Sequence, residues 1–369
     1  MENVKRKDRP GPHARLARAA ALACAALVAL LAGCAQGSGD PGEPRVVVYA
    51  AGSYSEGGWD LPCYWRDGTR VPLPFDAEDQ AGRVAAIAVD GGTVYTAGST
   101  GYHDYYSCYW KGTERSDLAG RGAEAIAVSG GTVYTIVNGD WSGGGITAFG
   151  GAYYAGAALN HLAGIANTDP SRPVWDTSAY GMAVAGGIVY TAGRASGSDE
   201  GYACYWTGAD ARTDLDAASE AKAIYVSGGT VYTAGWTVDG KVCVPCYWAG
   251  AAMTKLPIVA DNEGYAEDIE VVDGSVYTAG YYGYYDADMY NYVHTACYWI
   301  GGERYDLPGD GTNTAQAHAI SVYDGVVYVA GCYNDGSKDV PCYWKDGIRT
   351  DLPGGSSDGY ANDILIVEE

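Results

Sequence analysis

The sequence predicts an all-β protein: a seven-bladed β-propeller made of four-stranded antiparallel blades. The string Val-Tyr-Thr-Ala-Gly, or a near copy, recurs at intervals of about 40 to 55 residues, a period typical of propellers and solenoids. Each unit also contains four short strand signals separated by turn residues, and no stretch of the repeats shows helical periodicity. The seven copies begin at Val48, Val94, Val133, Val189, Val231, Val276 and Val327.

The region before the repeats has the features of an export signal. Six of the 23 basic residues lie in the first 18 positions, and an apolar segment follows over 19–31. The string Leu31-Ala32-Gly33-Cys34 is similar to the bacterial lipobox, which implies that Cys34 accepts diacylglycerol. The alternative is ordinary cleavage that leaves Cys34 as a free thiol. We therefore expect a lipoprotein signal peptide over 1–33, a flexible Pro/Gly-rich linker over 34–45 and the propeller over 46–369.

The second unit illustrates the predicted blade. Its four strand signals cover 86–89, 93–98, 107–111 and 115–118, and Gly91-Gly92 is a hairpin turn pair that accepts positive φ. The first unit lacks an opening strand, because residues 46–49 match a second strand. The last segment, 361–367, matches an opening strand with nothing after it. We expect these two ends to complete one blade and so close the ring.

Segment 342–353 reads Cys-Tyr-Trp-Lys-Asp-Gly-Ile-Arg-Thr-Asp-Leu-Pro and resembles the bacterial extracellular HAF-type repeat. In that family a Trp, a Gly and a following Asp-Leu recur at similar spacing. Cys-Tyr stands here where the family has Ala-Phe or similar. The resemblance implies a secreted propeller, and it implies no defined reaction and no catalytic residues.

Blade topology predicts which face binds a ligand. The turns between strands one and two and between strands three and four share one face, and both are short. The loops between strands two and three share the opposite face with the connections between blades, and these vary in length, so we expect function there.

Two units depart from the repeat on the variable face, the third and the sixth. The sixth carries an insertion of about six residues rich in Tyr, and the third lacks Cys-Tyr-Trp. Rings with neighbouring carboxylates could bind a glycan or a cationic peptide, or the Tyr-rich loop could pack on itself as a rigid cap. The candidate ligand-binding residues are Trp141, Trp175, Tyr281, Tyr282, Tyr284, Tyr285, Asp286, Asp288, Tyr290, Tyr292 and His294.

Metal and catalytic motifs are weak. Asp286, Asp288 and Asn291 have calcium-ligand character, but the Gly turn and distal Glu of an EF-hand loop are missing. The four His after the signal peptide fall in four units without ligand spacing, so we expect no metal and no cofactor. The string Gly-Ser-Ser-Asp-Gly at 355–359 matches a nucleophile elbow by chance, because it lies in a blade connection.

Six Cys occupy one equivalent position in six units, next to Tyr and Trp of the third strand, and are expected to be small buried hydrophobic residues. They are Cys63, Cys108, Cys204, Cys246, Cys297 and Cys342. Two further Cys of the predicted propeller lie outside this repeated position. Cys332 could form a cross-strand disulfide with Cys342, and Cys243 has redox-motif spacing from Cys246 but lacks the helix start that would activate a thiol.

The formal charge of −22 argues against a nucleic-acid partner, because phosphate contacts need a basic surface. We therefore expect a monomeric binding or scaffold module, lipid-anchored at the bacterial cell envelope, that recognises a glycan or an envelope protein on its variable face. The resemblance to lipoprotein signals implies, because position 35 is not Asp, an outer-membrane location in a Gram-negative host. The alternatives are a polysaccharide lyase or hydrolase, marked by acidic residues at the channel mouth, and a purely structural surface protein.

Overall fold

The computed structural model describes residues 45–76, 79, 81–101, 106–143, 146–164, 176–196, 201–286, 291–309 and 314–369, whose strands form seven four-stranded antiparallel sheets. The strands are β1(Val46–Glu56), β2(Trp59–Arg66), β3(Thr69–Pro72), β4(Gly82–Asp90), β5(Thr93–Thr100), β6(Tyr106–Lys111), β7(Glu114–Asp117), β8(Ala123–Ser129), β9(Thr132–Gly143), β10(Ile146–Ala155), β11(Ala158–His161), β12(Asp176–Ala185), β13(Ile188–Ser196), β14(Gly201–Thr207), β15(Ala211–Ala217), β16(Ser219–Ser227), β17(Thr230–Asp239), β18(Val242–Ala249), β19(Ala252–Lys255), β20(Glu263–Val272), β21(Ser275–Asp286), β22(Asn291–Ile300), β23(Glu303–Asp306), β24(Ala315–Tyr323), β25(Val326–Asn334), β26(Asp339–Lys345), β27(Ile348–Asp351) and β28(Gly359–Glu368).

Blade 1 consists of β28, β1, β2 and β3, and blades 2 to 7 each take the next four strands in order from β4 to β27. The C-terminal strand β28 is the inner strand of blade 1 and pairs with β1, with Val48 opposite Ile366. The inner strands also contact one another around the ring, including β24 with β28 and β28 with β4. The predicted fold and the predicted closure by the C-terminal strand are both confirmed.

The Cys and Trp of the third strands form the packing between blades. Trp110 and Cys108 of blade 2 are fully buried, as are their counterparts Trp299 and Cys297 of blade 6. The Trp110 indole N–H donates to the Pro74 carbonyl in the connection from the preceding blade, at 2.7 Å. The repeated aromatic residues therefore hold the fold together, as the sequence predicts.

The sequence predicts long loops between second and third strands, but in the described residues these segments are mainly continued β-hairpins. In blade 1 the two strands pair out to Glu56 and Trp59, so only two residues remain in the turn. The Ser and Tyr residues after Gly52 favour extended backbone, and β1 pairs with β2 as far as Glu56, beyond Tyr54, where its pairing with β28 ends.

Residues 45–369 form one compact unit. The predicted signal peptide, the linker and Cys34 lie outside the described residues. In the described part of the chain, no helix is long and apolar enough to cross a membrane.

Candidate functional site

The repeated Gly of the second strand allows the inner strand to bulge toward the ring axis. In blade 2 the register shifts between Val84 and Ala86, which leaves Ala85 as the extra residue of a β-bulge. A Cβ on Gly98 would stand only 2.0 Å from the Arg83 carbonyl oxygen, so no larger residue fits beside this bulge. Bulges re-aim a side chain, and here they aim one from each blade at the axis.

One residue per blade occupies this bulge position, and together the seven positions line a cavity of about 220 Å³ on the ring axis. The bulge residues are Ala85, Glu124, Tyr180, Lys222, Glu267, His318 and Asn362. The set combines acidic, basic, aromatic and amide side chains. Acidic residues at the channel are the feature that the enzyme alternative requires.

Lys222 is held by an aromatic ring and two carboxylates. Its ammonium lies 4.2 Å from the ring centroid of Tyr180 and 2.8 Å from a carboxylate oxygen of Glu220. Burial alone would lower the pKa of Lys222, but the negative charges of Glu267 and Glu220 outweigh burial and raise it. Burial, together with the charge of Glu220, raises the pKa of the Tyr180 hydroxyl. Lys222 is therefore cationic at neutral pH, and Tyr180 is an uncharged hydrogen-bonding group.

Two aspartates follow the bulge where other blades have Ala or Gly. Asp268 accepts backbone N–H groups from Ile269 of its own blade and from Ile320 of blade 7, each at 2.8 Å. Asp363 joins blade 1 to blade 2 in the same way. Burial raises the pKa of Asp363 to about 7, and burial together with the charge of Asp363 raises the pKa of Asp268. Both carboxyls therefore link neighbouring blades while they face the axial cavity.

His318 lies on the same wall, and its Nδ1 is 3.1 Å from the Ala361 carbonyl oxygen. Burial lowers the pKa of His318, so its imidazole is neutral at pH 7. A neutral imidazole can donate or accept a hydrogen bond, which adds a polar group without adding charge.

The insertion of blade 6 lengthens the hairpin between β21 and β22. Tyr285 pairs with Tyr292 and Asp286 pairs with Asn291, so most of the predicted loop is strand. The base of this hairpin is fixed to the connection into blade 7, because the His294 backbone N–H donates to the Thr314 hydroxyl at 2.8 Å. The hairpin is a fixed projection on the variable face.

Aromatic rings on one face of the hairpin form a continuous run toward the axis. The Tyr285 and Tyr292 rings are 5.3 Å apart, Tyr292 lies 5.8 Å from His294, and His294 lies 4.8 Å from Tyr281. Burial, together with the neighbouring carboxylate of Glu267 in the cavity wall, raises the pKa of the Tyr281 hydroxyl. Tyr285 and Tyr292 are about half exposed, at 51% and 45%. The run therefore connects exposed rings at the hairpin to the polar cavity.

The run extends sideways into blade 5. The Tyr265 ring lies 5.4 Å from Tyr281 and 6.1 Å from Trp236. The Tyr265 hydroxyl is 3.3 Å from the Glu263 carboxylate. Trp236 and Tyr265 were not among the predicted site residues, although both belong to the aromatic surface.

The opposite face of the hairpin has a different surrounding. The Tyr282 ring is buried under the guanidinium of Arg304, which is 4.2 Å away, and its hydroxyl donates to Asp306 at 3.2 Å. Blade 7 repeats this arrangement with Tyr333 over Arg349. Tyr282 therefore belongs to a repeated packing motif, whereas Tyr284 on the same face is exposed.

Three of the predicted site residues cannot be placed on either face. Trp175, Asp288 and Tyr290 lie outside the described residues. Trp141 lies in β9 opposite Ala148, and its side chain is outside the described part of the structure. Asp286 is half-buried near the end of β21.

Cys332 and Cys342, between which the sequence allows a disulfide, are free buried thiols in the structure. The register places Cys332 opposite Pro341 and Gly331 opposite Cys342. Directly paired residues point to the same face of a sheet, and successive residues of a strand point to opposite faces. Cys342 therefore shares a face with Gly331, and Cys332 points to the other face, where it cannot bond to Cys342. Within the described residues, no group of three or more His, Cys, Asp or Glu side chains could hold a metal ion.

A larger hollow of about 670 Å³ lies between blades 1 and 2 on the short-turn face. Of its three charged residues, Arg66 and Glu369 form an ion pair with each other, and Glu368 accepts a hydrogen bond from the Tyr323 hydroxyl at 2.6 Å. Arg66 also donates to the Tyr49 hydroxyl at 2.9 Å. Only two blades line this hollow, whereas all seven line the axial cavity.

The axial residues carry a sequence signal that was missed. The inner strands read Ala-Glu-Ala-Ile, Ala-Lys-Ala-Ile and Ala-His-Ala-Ile in blades 3, 5 and 7, with one variable residue inside a nearly constant frame. Aligning the seven units at this frame identifies the bulge position. A variable residue between constant small residues indicates a position that packing does not determine.

No family model matches the chain, and neither does any curated protein sequence. Solved structures are similar to it at low sequence identity. An ulvan lyase of polysaccharide lyase family PL25 is similar over 87% of this chain and 85% of its own, at 11% identity and a TM-score of 0.45. A Pyrococcus horikoshii acylaminoacyl peptidase is similar over 84% of this chain and 52% of its own, at 10% identity and a TM-score of 0.45. A Trypanosoma rangeli sialidase is similar over 88% of this chain and 52% of its own, at 9% identity and a TM-score of 0.35.

Proposed function

We propose that the protein is a glycan-binding module of a bacterial cell envelope and that its ligand lies on the variable face. The observation that carries this proposal is the run of rings from the exposed Tyr285 and Tyr292 to the polar axial cavity. Sugars present apolar ring faces and many hydroxyls. Tyrosines offer both a flat apolar surface and a polar tip, and the cavity supplies further donors and acceptors.

The experiment is a binding screen of purified protein against immobilised glycans, followed by matched variants. Tyr285→Ala and Tyr292→Ala should each weaken binding by about tenfold, because each removes a ring worth roughly 1.4 kcal/mol of contact. Tyr305→Ala is the control, since Tyr305 is also an exposed ring of blade 6 but lies on the outer strand β23. Equal effects of the three variants would contradict the site, and capture of an envelope protein in place of any glycan would contradict the ligand class.

The envelope location is part of the same proposal and depends on Cys34. We expect a diacylglycerol-modified Cys34 at the mature N-terminus, and Cys34→Ser should release the protein from membranes. Mass spectrometry of the N-terminal peptide tests this modification. An unmodified terminus in the membrane fraction would contradict the lipid anchor.

A second candidate is a polysaccharide lyase or hydrolase, favoured by the axial cavity. Tyr180, Lys222, Glu267 and His318 are side chains of the types that act as general acids and bases, and they line one cavity. New reducing ends or unsaturated products from a bound glycan, abolished by Lys222→Met, would support this candidate. A bound glycan that stays intact would exclude it, and absence of both binding and turnover would leave a structural surface protein.

A further inference from the structure

We propose that the axial cavity is a subsite for the terminal sugar of the bound glycan and that it accepts an end group without negative charge. This inference rests on the proposed glycan-binding function and specifies how the ligand is recognised. It assigns the cavity to a chain end, whereas the hairpin rings contact the sugars that follow.

The closed ring restricts access to a chain end. The seven inner strands contact each other around the whole axis, and the closing strand β28 contacts both β24 and β4. A polymer cannot enter such a ring sideways, so an internal sugar reaches the axis only if the entire chain threads through. A terminal sugar needs a single entry from the variable face.

The size of the cavity agrees with one sugar ring. Its volume of about 220 Å³ lies below the roughly 300–1,000 Å³ of sites that enclose drug-sized ligands. The rings of Tyr281 and His294 continue from its wall to the exposed Tyr292, which leaves a surface for the next sugars outside.

The charge of the wall selects against anionic ends. Glu124 and Glu267 line the cavity, whereas the carboxyls of Asp268 and Asp363 are buried and their pKa values are raised. Arg83 pairs with Glu124, and Glu220 and Glu267 share the single ammonium of Lys222, which leaves one carboxylate in excess. A uronate or sulfate at the axis would face these carboxyls, and juxtaposed like charges are a strong means of rejection. Neutral sugars offer hydroxyl protons that the same carboxyls can accept.

The test uses hexasaccharides of glucose, mannose and galactose, each prepared intact and with the terminal residue oxidised to a uronate. Calorimetry should give at least tenfold weaker binding for the oxidised form of whichever hexasaccharide binds. The corresponding free monosaccharide should compete with it, because the cavity holds one sugar. Failure of every neutral hexasaccharide to bind, or equal affinity for intact and oxidised ends, would overturn the proposal.

Ala85→Phe fills the cavity from blade 2 without removing a polar group, since Ala85 lines it. This variant should lose at least tenfold in affinity. Ala252→Phe makes the same change at an exposed position of β19 and should bind normally. Glu267→Gln removes one negative charge and should lower the ratio of affinities for the intact and the oxidised hexasaccharide by at least threefold. This variant tests the proposal even if Ala85→Phe does not fold.

Binding that Tyr285→Ala and Tyr292→Ala weaken, but that Ala85→Phe and Glu267→Gln leave unchanged, would refute the subsite alone. Binding that is indifferent to the hairpin rings would refute the proposed function.

Discussion

Blades 2 and 6 have the same framework and differ at the axis and on the variable face. Trp110 and Trp299 are both fully buried, and each indole donates to a proline carbonyl of the preceding connection, at 2.7 and 2.9 Å. The bulge residue is Ala85 in blade 2 and Glu267 in blade 6, and only blade 6 extends its hairpin by the Tyr-rich insertion. The residues that the two blades share determine the backbone and the direction of each side chain. The residues that differ determine the chemistry of the surface that those side chains form.

The largest expected effect tests whether the framework is equivalent in the two blades. Trp110→Ala and Trp299→Ala should each lower the free energy of unfolding by about 3–5 kcal/mol, because each removes a fully buried ring and leaves a cavity. Urea denaturation measures this change. Ile348→Ala, at a position 74% exposed, is the control and should change stability by less than about 0.5 kcal/mol. A large loss in one blade only would show that the two frameworks are not equivalent.

The second prediction concerns Asp363, where blade 2 carries Ala86. The pKa of Asp363 is about 7 in the folded protein, above the roughly 3.9 of an unfolded Asp, so the folded state binds this proton more tightly. The resulting stability is complete below about pH 4 and is lost as the pH rises through 7. Between pH 5 and pH 8 the free energy of unfolding of the unmodified protein should fall by about 2–3 kcal/mol more than that of the Asp363→Ala variant. Parallel pH profiles for the two proteins would contradict the shifted pKa.

The third prediction breaks the charged contact of blade 5. Lys222→Met should destabilise the protein by about 1–3 kcal/mol at pH 7, because it leaves the Glu220 and Glu267 carboxylates without the ammonium between them. Glu220→Gln in the same background should restore part of the loss. A double-mutant cycle measures the coupling between Lys222 and Glu220, and a coupling near zero would mean that the pair contributes nothing.

Much of the architecture can be predicted from sequence because packing constrains it strongly. The repeated Gly, Trp and Cys residues mark each blade in the sequence. Close steric contacts allow few substitutions at such positions, as Gly98 illustrates. The axial site was harder to predict. Glu267 and Lys222 lie 45 residues apart in the chain, and only the bulge in each inner strand brings such residues to one axis.

The hairpin of blade 6 was identified as unusual, but its two faces were not separated. Alternation along a strand places Tyr282 and Tyr281 on opposite faces, and only the partners reveal which face is committed to packing. Tyr282 lies under Arg304, while the ring of Tyr281 lies 4.8 Å from the ring of His294. The sequence predicts a loop for this segment, and side chains alternate between two faces only in a strand, so the two faces could not be predicted.

The smallest expected effect separates a framework thiol from an added one in blade 5. Cys246 is fully buried, whereas Cys243 is half-buried, and burial raises the pKa of both thiols. We expect slow alkylation of Cys243 in the folded protein and none of Cys246.

The same experiment tests whether Cys332 and Cys342 of blade 7 are free thiols. After denaturation without reductant, both should alkylate fully. Mass spectrometry of the peptides checks each site, and a mass gain only after reduction would reveal a disulfide.

The most direct test of the account exchanges one hairpin and leaves the framework intact. Residues 281–296 of blade 6 are replaced by residues 236–245 of blade 5, which join the same Gly and Cys positions of the repeat. Glycan affinity is then measured by calorimetry alongside the melting temperature. We expect a folded protein whose melting temperature changes by only a few degrees and whose glycan affinity falls by at least tenfold. A folded variant that binds glycan as tightly as the original protein would contradict it.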